Sequence, residues 1–386
     1  MNPDLLKRIT ILMSIIFIGL SLLHYFSQRP LWFDEQPLGE SLQTYTYPQI
    51  FGPLIREQAF PRVYLFLIKV ISAPFDFSLL AVRFLPLAAM LAAFFIWKKI
   101  FRLFLRNDIL YILAILAFAG SYRLTYYAAE LKQYSMDVLV AGLYILFLNY
   151  QSRFKLQAPP KRLYVLSIVM PFLLFFSYTA IFFFWIIAFN FFLMIIFDGN
   201  KKLIPVFLLN TFILLLAFIT ICAIDLRYSI NPMMTQYFQS YYLGTDSLGN
   251  FFTPFSEGVQ RLATYWYGDT KYFVRAASIF IPFFFFGMLI YGFKALKISR
   301  GQIFNLDNVG LIVFLELFVL GLLKKYPFTG DRITLFFAPF TMYIILKAMH
   351  GLSSNKFVQW VFLGYFAVFN VTCVANTFYQ HLKLYF

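Results

Sequence analysis

Residues 179–197 of the chain read TAIFFFWIIAFNFFLMIIF, a run without a single charged side chain. About 20 predominantly apolar residues form a helix long enough to cross the hydrocarbon core of a bilayer. The run therefore predicts a transmembrane helix. Ten further apolar runs predict the same structure, near residues 9–26, 80–101, 109–124, 135–150, 163–177, 203–224, 274–296, 308–323, 333–349 and 357–378.

The composition of the whole chain supports this interpretation. Of its 386 residues, 61% are hydrophobic and only 13% are charged, whereas a typical soluble domain carries about 25% charged residues. A soluble globule cannot bury so much apolar surface. We therefore predict an all-α polytopic membrane protein with about 11 transmembrane helices. Residues 1–386 would form one membrane domain without a separate soluble domain.

The charge distribution predicts an orientation. The net charge of +15 comes from cations scattered over short connectors, which favours the positive-inside bias over nucleic-acid binding. If residues 61–74 form an interfacial or re-entrant segment, the predicted cytoplasmic connectors hold 17 cations and four carboxylates. Making that segment a twelfth span scrambles the pattern. We expect a multi-pass protein of the plasma or inner membrane, with a cytoplasmic N-terminus and an exoplasmic C-terminus.

The acidic residues point to the outer face as the place of any chemistry. Twelve of the 17 acids fall on the predicted exoplasmic side, in two long loops (about 27–79 and 225–273) and several short turns. Long connectors with amphipathic content usually carry function. Amphipathic or re-entrant helices are expected in the first of these loops. The histidines are too dispersed for a metal cage, and each is expected to be interfacial or solvated: His24, His350 and His381.

The first candidate motif is Leu31-Trp32-Phe33-Asp34-Glu35, immediately after the first span. Adjacent carboxylates at the membrane surface are costly unless they are solvated, paired or used. One interpretation is a solvated loop with interfacial aromatic anchors. The functional interpretation is a general base, in which one carboxylate takes a proton from a hydroxyl acceptor and its neighbour orients it or helps to hold a divalent metal ion.

The second candidate motif spans residues 126–137 and reads YYAAELKQYSMD. On a helix, Glu130, Tyr134 and Asp137 would share one face, and Lys132 lies among them. An acidic and aromatic face that enters the bilayer is expected to border a water-filled cavity. The alternative is a capped helix start with an intramembrane hydrogen bond.

The third candidate motif places Lys324, Lys325 and Arg332 in an outer turn, against the positive-inside trend. A phosphate group at the membrane surface would balance these cations, and an arginine can bind it with two parallel hydrogen bonds. The alternative is that the side chains extend to lipid headgroups.

Together these motifs resemble the GT-C superfamily of polyprenyl-phosphate-sugar-dependent glycosyltransferases. The nearest branch is glycosyltransferase family 39, which contains protein O-mannosyltransferases and aminoarabinose transferases. The order of the motifs carries the resemblance: LWFDE (31–35), FPRVYLFLIK (60–69), AVRFLPL (81–87), YYAAELKQYSMDVL (126–139), SYTAIF (177–182) and YPFTGDRITLFFAP (326–339).

The resemblance implies a GT-C-like helical bundle and roles for particular residues. Asp34 matches the catalytic carboxylate of the family's first loop and Glu35 completes the acidic pair. Asp137 matches an acid at the start of a span, and Arg332 matches a cation on the donor side. The other predicted substrate-binding residues are Arg62, Glu130, Lys132, Tyr134, Lys324 and Lys325.

The implied reaction is an inverting sugar transfer from a polyprenyl-phosphate donor to a lipid, glycan or protein acceptor. The chain departs from the family pattern at Phe60-Pro61-Arg62, where relatives carry a Pro-Pro-rich interfacial helix, and in lacking a large C-terminal soluble domain. Membrane lipids are expected partners and nucleic acid is not. No cofactor is predicted apart from a divalent metal ion, for which Asp34 and Glu35 are the candidate ligands. Two alternatives stay open, a flippase or transporter for a lipid-linked sugar and a polysaccharide polymerase or ligase.

Overall fold

The fold is described in a computed structural model, which covers residues 1–154, 157–229, 236–268, 270–296, 305–328, 331–351 and 354–386. Within these ranges every regular element is a helix, which confirms the predicted all-α class. The first half of the chain contains α1 (Pro3–Phe26), α2 (Gln36–Thr44), α3 (Arg62–Ser72), α4 (Leu79–Phe104), α5 (Asp108–Gly120), α6 (Tyr122–Tyr127), α7 (Tyr134–Gln151), α8 (Lys161–Val169) and α9 (Ile181–Phe197).

The second half contains α10 (Ile204–Ile221), α11 (Leu248–Thr264), α12 (Lys271–Ala277), α13 (Phe280–Leu296), α14 (Leu306–Leu322), α15 (Ala338–Gly351) and α16 (Lys356–Leu382). Short 3-10 helices connect several of them, among them Ser152–Phe154, Tyr178–Ala180 and Arg332–Phe337.

In the described part of the chain, six helical segments are long and apolar enough to cross a membrane: Pro3–Phe26, Leu79–Phe104, Tyr178–Phe197, Lys201–Leu226, Arg332–Gly351 and Lys356–Tyr385. The pair α12 and α13 passes the same test together but is bent by 45°. The chain is therefore a multi-pass helical membrane protein. The number of about 11 spans stays a prediction, because the remaining predicted runs fall on shorter or less apolar helices.

The run near residues 163–177 shows why length alone misjudges a span. Its α-helix ends at Val169, and a 3-10 helix follows from Met170 to Phe175. Pro171 lies at the start of this second segment. Since proline has no backbone N–H and its ring clashes with the preceding turn, it interrupts a continuous α-helix.

Helix ends that were predicted on the same side of the membrane lie together. The N-terminal ammonium contacts Asp108, at the start of α5, at 3.2 Å, and Lys347 in α15 contacts Asp307 in α14 at 2.5 Å. At the opposite end of the bundle, the rings of His24 and His381 lie 4.5 Å apart. This end is the one that the sequence predicts to be exoplasmic, and we refer to it as the outer face.

The first outer loop contains the expected amphipathic helix, although nothing shows that it re-enters the bilayer. Helix α3 has 11 residues, too few to cross a membrane. Its buried side carries Tyr64, Leu65 and Ile68, spaced as on one helical face. The ammonium of Lys69 donates to the carbonyl of Leu42 in α2, so the two helices of the loop hold each other.

The packing of α4 against α7 positions the start of α7 at the outer face. A Cβ atom at Gly142 would lie 2.7 Å from the side chain of Ile96, so glycine allows the two helices to approach closely. The indole N–H of Trp97 donates to the carbonyl of Val138 at 2.9 Å. This contact joins the C-terminal third of α4 to the N-terminal third of α7 and leaves the polar residues before α7 facing the first outer loop.

The predicted orientation can be tested by labelling single cysteines, after Cys222 and Cys373 are changed to serine. We expect a membrane-impermeant maleimide added to intact cells to label the Leu248→Cys variant, because Leu248 is 77% exposed at the start of α11. The Lys99→Cys variant should be labelled only after permeabilisation. Labelling of the Lys99→Cys variant in intact cells would reverse the topology.

Candidate functional site

The two adjacent acids of the first motif point in different directions. The chain makes a tight turn in which the amide N–H of Glu35 donates to the carbonyl of Trp32 at 2.8 Å, and α2 begins at the next residue. As a result, the side chain of Glu35 turns into the protein and is 0% exposed, whereas that of Asp34 is 19% exposed.

The Glu35 carboxylate is enclosed by hydrogen-bond donors. Arg29 contacts it at 2.7 Å and Arg83 at 3.0 Å. The backbone amide of Leu131 donates to its other oxygen at 2.6 Å, and that of Trp32 donates at 3.3 Å. A carboxylate held in this way has hydrogen-bond donors on both oxygens and connects three segments of the chain. The geometry gives Glu35 a holding role, and a direct catalytic role for it stays a prediction.

Asp34 meets the predicted donor-side cation. One of its oxygens forms an ion pair with the guanidinium of Arg332, which lies at the start of the 3-10 helix before α15. The guanidinium also lies over the indole ring of Trp32, 5.3 Å from the ring centroid, and the backbone amide of Arg332 donates to the Asp331 carboxylate at 2.7 Å. The first and third sequence motifs are thus joined at the outer face.

The second motif adds Glu130 and Lys132 to the same cluster. Glu130 is fully buried, and one of its oxygens accepts from the Trp32 indole at 2.9 Å. Burial raises the pKa of Glu130 to about 7, and the nearby Glu35 carboxylate adds to the rise. Lys132 donates to the side chain of Gln58 at 2.8 Å. Burial lowers the pKa of Lys132 to about 8, against the opposing effects of Asp34 and Glu130.

The structure corrects the expected helical face of the second motif. Helix α7 begins only at Tyr134, so Glu130 lies in the turn before it and does not share a helical face with Asp137. Tyr134 packs edge-on against Tyr127 at 5.0 Å, and the hydroxyl of Tyr127 hydrogen-bonds that of Tyr265 at 2.7 Å. These aromatic residues form a buried base beneath the cluster, not an open acidic stripe.

Asp137 belongs to a second buried polar group. Its carboxylate accepts from the Ser177 hydroxyl at 2.6 Å. At the next residue, the Tyr178 hydroxyl donates to Asp225, whose other oxygen accepts from the backbone amide of Arg62 at 2.8 Å. Asp225 therefore caps the N-terminus of α3 from a distant part of the chain.

The remaining predicted site residues lie apart from Asp34. Arg62 is fully buried, and its guanidinium donates to the carbonyls of Gly52 and Phe60 at 3.1 and 2.7 Å, which braces the first outer loop. Lys324 and Lys325 are exposed. The Asn250 side chain and, more weakly, Lys324 lower the pKa of Asp246.

The predicted cluster of three cations is therefore not assembled in the described part of the chain, where Arg332 alone of the three reaches the acids. Residues 329 and 330 of that motif lie outside the described residues. A small pocket adjoins Arg332, between α11 and the 3-10 helix, and Arg261, Tyr265 and Asp331 contribute to its lining.

Sequence reasoning missed the two arginines that hold Glu35. Arg83 is a cation within an apolar run, and such a residue almost always has a partner or a function. Arg29 follows the first span directly, and its guanidinium lies over the ring of Tyr126 at 5.0 Å. Asp225, at the end of an apolar run, gave a comparable signal.

The described residues contain no group of three or more His, Cys, Asp and Glu side chains placed to hold a metal ion. Asp34 and Glu35 contact different arginines, so the two carboxylates do not converge on one point. A divalent metal ion at this pair would require Asp34 to leave Arg332.

Comparison of the chain with protein-family models gave no match, and neither did comparison with curated proteins or with solved structures. The resemblance to the GT-C superfamily therefore rests on the sequence motifs.

We expect the Glu35→Gln variant to be strongly destabilised. The change leaves Arg83, which is 1% exposed, without its counter-charge, and removing one partner of a buried ion pair costs about 3–5 kcal/mol. The melting temperature of the purified protein in detergent should fall, whereas Glu40→Gln on the exposed side of α2 should leave it unchanged. If a Glu35→Leu/Arg29→Met/Arg83→Met triple variant, which removes the carboxylate and both of its arginines, is no more stable than Glu35→Gln, the loss does not come from uncompensated charge.

Proposed function

We propose that the protein transfers a sugar from a polyprenyl-phosphate donor to an acceptor at the outer face of the membrane, with inversion at the anomeric carbon. The observation that carries the proposal is the contact between Asp34 and Arg332. It brings an acid and a cation, each still partly exposed, to the outer ends of the membrane helices. This is the depth at which the headgroup of a lipid-linked sugar lies.

Because Arg332 pairs with Asp34 in the free protein, binding of the donor phosphate to Arg332 would release the Asp34 carboxylate. Phosphate oxygens bind an arginine guanidinium in the same two-pronged geometry as a carboxylate does. A donor phosphate that takes over Arg332 leaves Asp34 free, and Lys132 lies within electrostatic reach of both side chains. The partly neutral Lys132 and Glu130 adjust the charge of the cluster as the donor binds.

In the proposed reaction, the acceptor hydroxyl or amine attacks the anomeric carbon while the bond from that carbon to the phosphate oxygen breaks. The phosphate leaves with the bonding electron pair as polyprenyl phosphate, and Arg332 stabilises its negative charge. Asp34 accepts the proton of the acceptor group. Glu35 and its two arginines hold the loop that carries Asp34. They thereby fix the orientation of the Asp34 carboxylate, which such a transfer requires.

The proposal includes the finer features implied by the resemblance: a GT-C-like bundle of about 11 spans, the family 39 relationship and a role in glycosylation at the cell envelope. The chain would lie in the plasma or inner membrane, with α2 and α3 at the headgroup level. The acceptor is a lipid, a glycan or a protein, and a divalent metal ion at Asp34 and Glu35 is compatible with the chemistry but not required by it.

The test of the proposed function is an assay with labelled polyprenyl-phosphate sugars and membranes from a deletion strain, which supply the acceptor. Transfer of label only in the presence of the purified protein supports a transferase. Movement of the labelled lipid across a bilayer without transfer would favour the flippase alternative. Growth of a polymer would favour the polymerase or ligase alternative.

We expect the Asp34→Asn variant to lose transfer activity by a factor of about 10²–10⁴, the usual contribution of a general base. Asparagine keeps the size of the side chain and an acceptor oxygen but cannot take up the proton, so folding should change little. Activity is measured on purified protein with an unchanged melting temperature. Activity within a few-fold of the parent would remove Asp34 as the base.

We also expect the Arg332→Lys variant to lose at least about tenfold in kcat/KM. The charge is kept, but the planar fork that binds phosphate is lost, and one hydrogen bond to a charged group is worth about 1.5–3 kcal/mol. The matched control is Lys324→Gln/Lys325→Gln, which removes two exposed charges and should stay within a few-fold of the parent. Equal losses in both variants would show that the effect is not specific to the guanidinium of Arg332.

A further inference from the structure

Two histidines lie buried at the outer ends of the first and last long helices. His24 in α1 is 1% exposed and His381 in α16 is 0% exposed, which corrects the expectation that both are interfacial or solvated. Their rings are 4.5 Å apart, because the outer ends of α1 and α16 pack together against α6. His350, at the cytoplasmic end of α15, is exposed as expected.

The ring nitrogens of this pair are largely unsatisfied. The Nε2 atom of His381 lies 2.9 Å from the hydroxyl oxygen of Thr125. The Nδ1 atom of His381 and both nitrogens of His24 are buried without a hydrogen-bond partner in the described chain. Buried polar atoms normally have a partner, and exceptions require an explanation.

The surroundings of the pair favour neutral rings. The ring of Tyr126 lies 4.9 Å from that of His24, and the ring of Tyr122 lies 5.5 Å from that of His381. Arg29 and Arg83 are the charged groups that act on His24 itself. Arg123, Glu35 and Glu130 act on the tyrosines beside the pair, Tyr122 and Tyr126.

These charged groups do not balance a positive imidazole. The Glu35 carboxylate is taken up by two of the arginines, and Glu130 is bound to the Trp32 indole. A proton added to either ring would create a buried cation close to existing cations, which is costly.

A chain of direct contacts links the pair to the candidate site. The ring of His24 contacts the ring of Tyr126. The guanidinium of Arg29 lies over the same Tyr126 ring, 5.0 Å from its centroid, and forms an ion pair with Glu35 at 2.7 Å. Glu35 precedes α2 and follows Asp34 directly. Because the ring of His381 lies 4.5 Å from that of His24, the outer end of α16 covers the first member of this chain of contacts, and its movement away from α1 uncovers it.

We propose that His24 and His381 form a proton-binding site through which acidification at the outer face opens the outer end of α16 and releases the Asp34 loop. The proton-binding part stands on the geometry alone. The consequence for catalysis rests on the proposed function.

The direction of the pH effect follows from proton linkage. A solvated imidazole titrates near pH 6.5, and the closed arrangement has no place for the added charge. The open form therefore binds protons that the closed form does not. The closed form is fully favoured above about pH 6.5, and each proton taken up shifts the equilibrium towards the open form by up to about tenfold per pH unit below it.

Glu130 has the opposite effect on stability in the same window. Burial raises its pKa to about 7. The folded protein therefore gains stability as the pH falls from about 7 towards the ordinary pKa of a glutamate carboxyl group. The informative quantity is therefore the difference between the parent and a variant without the two imidazoles, measured at each pH.

Two buried positions can report the opening. Cys373 is 1% exposed and lies on the same face of α16 as His381, and Leu38 is 0% exposed in α2, close to Glu35. The first reporter is the native Cys373 in a Cys222→Ser background. The second is Leu38→Cys in a Cys222→Ser/Cys373→Ser background. N-ethylmaleimide labelling rates of the full-length protein in nanodiscs are measured at pH 7.5 and pH 5.5.

The expected result is that acidification increases labelling at both positions in the parent relative to His24→Phe/His381→Phe, by up to about tenfold for each proton taken up. The ratio cancels the pH dependence of the thiolate itself. His350→Phe is the matched control and should follow the parent. If the double variant does not fold, His381→Gln keeps a hydrogen-bonding group towards Thr125 without a group that titrates, and should reduce the pH effect.

Equal ratios at the two pH values would overturn the proton-binding site. An effect at Cys373 but not at the Leu38→Cys reporter would overturn the link to the Asp34 loop. Transfer activity supplies a separate arm: the parent should lose activity on acidification faster than the double variant. If no variant shows transfer at any pH, the proposed function fails, while the two labelling ratios still decide the proton-binding proposal.

Discussion

The burial of the Glu35 carboxylate between Arg29 and Arg83 is the interaction on which the outer face depends. A carboxylate without solvent contact is tolerated only when its charge and its lone pairs are both satisfied. The amide of Leu131 completes that requirement, so a single side chain fixes the first outer loop to α4 and to the turn before α7. Asp34 is left facing outward because its neighbour is committed inward, and the position of Trp32 over Glu130 and Arg332 follows from the same turn.

The helical class and most helix positions could be predicted from the sequence, because apolar runs are local properties. The contacts between side chains that are distant in the sequence could not be predicted. Asp34 and Arg332 were both assigned to one reaction, but nothing local shows that they touch, or that Lys324 and Lys325 stay away. The prediction that Glu130 and Asp137 share one helical face was wrong, because α7 begins only after the turn that contains Glu130. The prediction that His24 and His381 are interfacial or solvated was wrong, because their burial comes from the packing of helices at opposite ends of the chain.

Aromatic side chains in this protein do not only contact lipid; several of them also pack against arginine guanidinium groups. The guanidinium of Arg123 lies over the Tyr265 ring at 4.7 Å, Arg29 lies over Tyr126 and Arg332 over Trp32. Near the membrane, where little water reaches the cations, the negative face of a ring supplies part of the lost hydration. Such contacts restrain a cation without neutralising it. An arginine held in this way keeps its charge available for an anion, which a second carboxylate at the same place would not allow.

The cap that Asp225 places on α3 has a consequence for the order in which the protein is made. The hydrogen bond joins residues that are 163 positions apart in the chain. At about 5–20 residues per second, roughly 10–30 s of translation separate the two partners. During that time the start of α3 lacks the carboxylate of Asp225, which follows α10, so the first outer loop is without this cap. The ribosome therefore delivers the acidic loop long before the helices that give it its final shape.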